Sequence, residues 1–184
     1  MLSSERLKLT PLHRRDSREL HDAIVETLPD LIQWLPWAHT EHSRMDTRHY
    51  VYSARLSRAH RQNFELLVRE TASGEVLGLA SLHRIDWVRR VAGLGYWIRR
   101  SAWGKGYAPE AAAVLVEHGF RVLGLHRIEA HVALDNFASQ RVAQKLGFER
   151  EGIAREFEFV NGRFLDHIQY SVISWEGASR RARD

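Results

Sequence analysis

Trp103-Gly-Lys-Gly-Tyr-Ala108, with Pro109 directly after it, is the stretch on which the reading of the chain turns. Before it, Val91 to Ile98 reads as a strand that ends near Tyr96 and Trp97. After it, Ala108 to Val122 reads as a helix. Pro109 suits the first helical turn, where a missing N–H costs nothing. A strand thus passes through a glycine-rich turn into a helix. Glycines there let backbone N–H groups approach a ligand closely, and the helix N-terminus adds unpaired donors and partial positive charge. Together these make an anion site suited to a phosphate or pyrophosphate. A plain strand-to-helix turn also uses Gly-x-Gly, so this stretch alone leaves both readings open. The P-loop spacing Gly-x-x-x-x-Gly-Lys-Ser/Thr is absent, and the third glycine of the dinucleotide fingerprint is not met.

A second segment lies downstream, Asp135-Asn-Phe-Ala-Ser139 followed by Gln140 to Phe148. Asn136 is a natural N-cap, and Ser139 falls in the same first turn. The helix from Asn136 to Leu146 carries Ala138, Val142 and Leu146 on one stripe, and Gly147 is a good left-handed stop. Capping alone accounts for Asn136, and a solvent-facing position accounts for Ser139.

Working outward, Arg6 to Thr10 alternates like a short strand ended by Pro11. Arg15 to Glu26 places Leu20, Ala23 and Ile24 at helical spacing. Leu31 to Ala38 is aromatic and broken by proline, as Trp34-Leu-Pro-Trp37. Asp46 to Ala59 reads as a helix with Tyr50, Ala54 and Ser57 inward. Phe64, Leu66 and Val68 alternate, and Ser73-Gly74 turns the chain into Val76 to Leu82. Ile128, Ala130 and Val132 form another strand. Asn161-Gly162 is a strong hairpin signal joining a strand that ends near Val160 to one from Phe164 to Ile173. Strand–helix–strand crossovers beside hairpins imply an α/β fold with a mixed sheet and helices on both faces.

The chain has 184 residues, 44% hydrophobic and 27% charged, which fits one soluble domain. We assign residues 1–176 to it and read the polar stretch 177–184 as a disordered tail. With no cysteine, disulfides, thiolate zinc sites and a cysteine nucleophile are excluded. No run has the length or apolarity of a membrane helix or signal peptide, so a cytoplasmic protein without a membrane partner is expected. The formal charge of +4 suits an anionic ligand, or an RNA-associated module. Arg89-Arg90 and Arg99-Arg100 are only short basic pairs, so direct nucleic-acid binding is not expected. There are 11 histidines, but His118, His126 and His131 show no ligand spacing, so no metal is expected. A hydrolase is disfavoured because Gly-x-Ser-x-Gly is missing.

In this order, the two segments resemble the GNAT superfamily of N-acetyltransferases. That family's motif is Arg/Gln-x-x-Gly-x-Gly/Ala. Gly106 and Ala108 match it, while Trp103 departs from the Arg/Gln. Asn136-x-x-Ser139, Lys145-Leu-Gly-Phe148 and Glu151-Gly152 are similar to the later family motif. Gly95-Tyr-Trp97, Trp34-Leu-Pro-Trp37 and Asn161-Gly-x-x-x-Asp166-x-x-x-Tyr170 resemble the branch that acetylates ribosomal-protein N-termini.

The resemblance implies a splayed GNAT sheet and acetyl-CoA as co-substrate, without a metal. It implies a pyrophosphate held by the turn from Trp103 through Gly104, Lys105, Gly106 and Tyr107 to Ala108. The pantetheine arm would lie along Trp97, Ile98 and Arg99, with Asn136 and Ser139 beside it. By position, Ser139 matches the branch's proton donor and Glu158 its base. The tyrosine donor of other members would fall at Ala143. Many relatives carry Glu two residues before Gly95, where this chain has Gly93. Glu156, placed on the same face as Glu158 by strand alternation, His83 and a water chain remain competing bases. Trp34, Trp37 and Tyr96 would line an acceptor cleft, although indoles are as often plain core. The implied acceptor is a protein or peptide N-terminal amine, the alternatives being a small amine or antibiotic. A homodimer is a further expectation. A non-catalytic CoA-binding sensor is the reading from another class.

Overall fold

The computed structural model describes residues 1–174. The tail 177–184 and the domain end at 176 lie outside the described residues. Strands β1 (Leu2–Ser3) and β2 (Leu7–Pro11) lead into helices α1 (Ser17–Leu31) and α2 (Arg44–Ala59). Strands β3 (Phe64–Glu70), β4 (Val76–Asp86) and β5 (Val91–Ile98) follow as a meander. Then come α3 (Tyr107–Arg121), β6 (Arg127–Ala133), α4 (Phe137–Lys145), β7 (Glu149–Val160) and β8 (Arg163–Ile173). The strands make one sheet in the order β1-β2-β3-β4-β5-β6-β8-β7. Every neighbouring pair is antiparallel except β5 and β6, which the α3 crossover makes parallel. This is the expected mixed α/β sheet, and among the described residues no helix is long and apolar enough to cross a membrane.

The two faces of the sheet are built differently. One is apolar throughout: Leu66, Leu82, Ala92, Ile128, Ile168 and Val172 pack with Ala111 and Leu115 of α3 and Ala143 of α4. The opposite face is apolar only under α1 and α2, where Leu67 and Leu79 meet Leu20, Ile24 and Val51. Beyond Leu79 the register carries that face through Ser81, His83, Gly93, Gly95, His131 and His167. Among the described residues they line a cavity instead of packing under a helix, and their polarity follows from being the floor of an open cleft rather than a core.

The sheet also parts. Strands β5 and β6 pair only from Val91 to Gly93 against Arg127 to Glu129. The rest of β5, from Leu94 to Ile98, runs on without a β6 partner, which opens a gap between the two strands.

Three local expectations change. Helix α1 continues through Pro29 to Leu31 instead of stopping near Glu26. Pro29 is exposed, so the carbonyl deprived of its helical donor lies on the solvent side. The inward stripe of α2 is Thr47, Val51 and Ala54, with Tyr50 packed beside it as expected, while Ser57 is only half-buried. Strand β3 buries Leu66, Leu67 and Val68 in succession, since helices cover it on both faces.

Candidate active site

The glycine-rich turn leaves β5 and enters α3 as the sequence predicts. Gly104 and Gly106 have φ of 75° and 80°, the left-handed region that a Cβ disfavours, and Gly106 is the N-cap of α3. The turn is anchored from outside: Arg6 donates to the Lys105 carbonyl (3.0 Å), and its guanidinium pairs with Glu110 and lies over the Tyr107 ring. The Tyr107 hydroxyl donates to Glu70. Trp103 closes the other side by donating its indole N–H to the Ile98 carbonyl at 2.6 Å.

A groove of about 710 Å³ runs from this turn to the N-terminus of α4. Trp97, Ile98, Trp103, Gly104, Gly106, Tyr107 and Ala108 line it on one side, and Asn136 and Ser139 on the other. Two residues assigned to the cofactor do not line it. Arg99 is turned away: its guanidinium pairs with Glu26 and Glu75, and its backbone N–H donates to the Leu77 carbonyl at 2.7 Å. The Arg99 pairing holds the Glu26 carboxyl down at about 2. Lys105 lies outside the lining as well, although its carbonyl braces the turn through Arg6.

A second cavity, about 360 Å³, opens over the polar floor of the sheet. Trp34, Trp37 and Tyr96 line it, with Tyr50, Phe157, His83, His131, His167 and Glu158. Trp34 is held by the β7–β8 hairpin, since it packs on Ala133, Val160 and Leu165 while Asn161 Nδ2 donates to the Ile32 carbonyl at 2.6 Å. The two cavities share Trp34, Leu35, Tyr96, Trp97, Asn136 and Ser139. They meet, therefore, at the gap between β5 and β6.

At that junction Asn136 caps α4 by accepting from the Ser139 N–H (3.0 Å). The Ser139 Oγ lies 2.9 Å from the Tyr96 hydroxyl, which also reaches the Ser139 carbonyl at 3.2 Å. Burial pushes the Tyr96 phenol up to about 12, against a smaller opposing effect of the Ser139 hydrogen bond.

Glu158 reaches the cleft by a route that strand alternation does not predict. The β7–β8 register slips between Ala154, opposite His167, and Glu158, opposite Leu165. Residues 155–157 therefore bulge against Asp166 alone. Glu156 takes φ of 49°, donates its N–H to Asp166 Oδ1 (2.8 Å) and stays exposed outside the cleft lining. Phe157 and Glu158, adjacent in sequence, both line the cleft. This separates Glu156 from Glu158, contrary to the expectation that they share a face. Burial raises the Glu158 carboxyl above its ordinary range, partly offset by Arg84.

Three histidines line the same cleft. His167 Nε2 is 3.9 Å from Glu158 Oε2, and among the described residues neither ring nitrogen of His167, buried at 3% exposure, has a hydrogen-bond partner. His131 and His167 both contact the Phe157 ring, at centroid distances of 4.5 and 5.0 Å. His83 lies across Gly93, and burial holds its imidazole down at about 4. The sequence reading passed over His167, Phe157 and Tyr50. The available signal was Asp166-His167, two adjacent polar residues in β8, where strand alternation alone would send one of them to each face. Away from this floor, His39, His42 and Asp46 each bring one ligand atom within 4.8 Å of the others. Asp46 Oδ2, however, is already bound by Ser43 N–H and Oγ as the cap of α2.

The family described as "Acetyltransferase (GNAT) domain" matches residues 6–149. An uncharacterized N-acetyltransferase of Bacillus licheniformis is 38% identical over 115 residues, which are 62% of this chain and 64% of that protein. A putative ribosomal N-acetyltransferase of Bacillus subtilis is 31% identical over 179 residues, 95% and 96% of the two chains. A spermidine N(1)-acetyltransferase of Escherichia coli is 28% identical over 172 residues, 94% and 88% of the two chains. Among solved structures, RimL, a ribosomal L7/L12 alpha-N-protein acetyltransferase in complex with coenzyme A, superposes with a TM-score of 0.88. It has 26% identity and covers 94% of this chain and 97% of its own.

Proposed function

Because this chain belongs to the GNAT family of acetyltransferases and is an acetyl-CoA-dependent N-acetyltransferase, we propose that it acetylates the N-terminal amine of a protein or peptide, of the ribosomal-protein type. The observation that carries this reading is the meeting of the two cavities at Ser139 and Tyr96, with Glu158 on the wall of the second. Residues 1–176 act as one catalytic domain in this reading.

The groove residues fit coenzyme A. Two glycines with positive φ at the start of a helix present amides to a pyrophosphate, and the unpaired edge of β5 offers backbone groups to an extended arm. Bound there, acetyl-CoA supplies an acetyl group activated by a thiol leaving group. The protein's residues do the rest. The cleft admits the amine, which is protonated near neutral pH, and Glu158 takes its proton. A free N–H on the open stretch of β5 polarises the acetyl carbonyl. Ser139 Oγ delivers a proton to the departing sulfur, and no protein nucleophile is used.

The cleft favours a single amine over a polyamine. A polyamine needs a second free carboxylate for its far ammonium. Glu65 and Glu129 line the same cleft, but Glu65 accepts from Tyr50 and Asn63, and Glu129 is paired with Arg127. Among the described residues Glu158 makes no recorded hydrogen bond to an arginine or lysine, its near neighbour being His167 at 3.9 Å. The aromatic wall of Trp34, Trp37 and Tyr50 suits the residues that follow a peptide N-terminus.

The test is release of free thiol from acetyl-CoA with N-terminal peptides, polyamines and aminoglycoside-type amines as acceptors. Turnover on peptides is the expected result. Preferential turnover on spermidine would move the acceptor to the small-amine class. Binding of acetyl-CoA with no turnover on any acceptor would favour a sensor.

A further inference from the structure

Ala143 denies this chain a tyrosine on the face of α4 where related enzymes place one, yet the fold brings a phenol to the same junction from a different element. Tyr96 stands on β5 opposite Ala80, three residues past Gly93, the last β5 residue paired with β6. Its side chain crosses the gap to α4. Its hydroxyl lies 2.9 Å from Ser139 Oγ, and both residues line both cavities. Among the described residues, Tyr96 is the hydrogen-bond partner recorded for Ser139 Oγ.

Serine alone is a poor proton donor here. The leaving group is a thiolate whose thiol has a pKa of about 8.5, and an aliphatic alcohol holds its proton far more tightly than that. Protonating sulfur from an isolated Ser139 would leave an alkoxide. A phenol, with a reference pKa of about 10, is a much stronger acid than an alcohol. Even pushed up to about 12 by its burial, Tyr96 remains the better proton source.

We infer that Tyr96 stands behind Ser139 as a proton relay, so that the donor to the leaving sulfur is the hydroxyl pair and not the serine alone. The inference rests on the acyl-transfer reading above. As the C–S bond breaks, its electron pair stays on sulfur. Sulfur takes the Ser139 proton, and Ser139 Oγ takes the Tyr96 proton in the same movement. The phenolate then regains a proton from solvent entering the acceptor cleft, while the proton lost by the amine leaves on Glu158. The net change is thioester plus amine to amide plus thiol. Tyr96 is a positioning and relay residue in this scheme, since it acts through Ser139.

The competing account is mechanical: the Tyr96 hydroxyl only tethers the first turn of α4 through the Ser139 carbonyl. The experiment compares wild type, Tyr96→Phe, Ser139→Ala and the double variant by steady-state thiol release across pH, with acetyl-CoA affinity and melting temperature measured on each. Relay predicts that Tyr96→Phe lowers kcat about 10- to 100-fold while acetyl-CoA affinity holds. It also predicts that the double variant is no slower than Ser139→Ala, because residues acting as one unit are not additive. Penalties that multiply, or a Tyr96→Phe kcat within about twofold of wild type, would overturn it. If Tyr96→Phe does not fold, 3-fluorotyrosine at position 96 keeps the ring and hydroxyl but lowers the phenol pKa. The alkaline limb of kcat then moves to lower pH under relay and stays put under tethering. A wild-type enzyme with no turnover on any amine would instead defeat the acyl-transfer reading, and the relay with it.

Discussion

The His83 imidazole lies so close over Gly93 that a Cβ at position 93 would sit 2.5 Å from His83 Cε1. The ring is the end of a side chain facing an open cleft, so it can give way only by swinging into the acceptor space. Gly93→Ala should therefore raise the acceptor KM several-fold while acetyl-CoA affinity is unchanged. The off-rotamer ring should cost about 1 kcal/mol in stability. Adding His83→Ala should restore the stability. Acceptor kinetics for Gly93→Ala that match wild type would show that His83 does not shape the cleft.

Glu158 should set the acid limb of the rate profile. Burial favours its neutral form, so the carboxylate that accepts the amine proton appears only at a pH above the reference glutamate value of about 4.3. The sign for stability is opposite to that of a salt-bridged acid. A raised folded pKa gives stability that is present below the unfolded value and lost as pH rises through the folded one. Glu158→Gln should lower kcat by about 100-fold or more, bind acetyl-CoA normally and melt no lower than wild type at neutral pH. A Gln variant with full turnover would remove Glu158 from the reaction and leave His83 or a water chain as base.

The glycine-rich turn was legible because its features are local. Gly104, Gly106 and Pro109 are consecutive signals on one segment, and Asn136 caps the helix that the sequence marks. The strands from β2 to β8, in chain order, followed from alternation and from Asn161-Gly162, whereas β1 and the order of the strands in the sheet did not. What stayed hidden depends on pairing between distant segments. The bulge that separates Glu156 from Glu158 is a register slip against β8, and nothing in β7 alone announces it. The Tyr96–Ser139 contact spans 43 positions, and it exists because β5 leaves β6 at Gly93. Arg99 looked like a groove residue by position, but α1 packs beside it and supplies Glu26, a tertiary pairing 73 positions apart that the segment around Arg99 does not announce.

Gly106 tests the anion site. At φ of 80° a side chain is strained, and its Cβ would stand at the mouth of the turn with only Arg6 Nη2 nearby, at 3.6 Å. The apo protein therefore has room for a side chain, at a backbone cost of about 1–2 kcal/mol. Gly106→Val should still fold, with a lower melting temperature, and lose detectable acetyl-CoA binding by titration calorimetry. Retained micromolar affinity would mean the pyrophosphate does not sit on this turn.

Glu26 and Arg99 give a pH signature in stability. The Arg99 hydrogen bonds, aided by the Ser101 N–H, hold the Glu26 carboxyl down at about 2. A depressed folded pKa gives stability that is present above the unfolded value, about 4.3, and lost as pH falls toward the folded one. Wild type should thus lose stability from about pH 5 downward, and the difference from Glu26→Gln should shrink over that interval. Other carboxylates titrate there too, so the quantity to measure is the gap between the two denaturation midpoints at each pH. The pair joins α1 to the end of β5 immediately before the glycine-rich turn. Glu26→Gln should therefore also weaken acetyl-CoA binding modestly at neutral pH without touching any residue that lines the groove. A midpoint gap that does not change with pH would show that the pairing contributes little in solution, as exposed ion pairs often do.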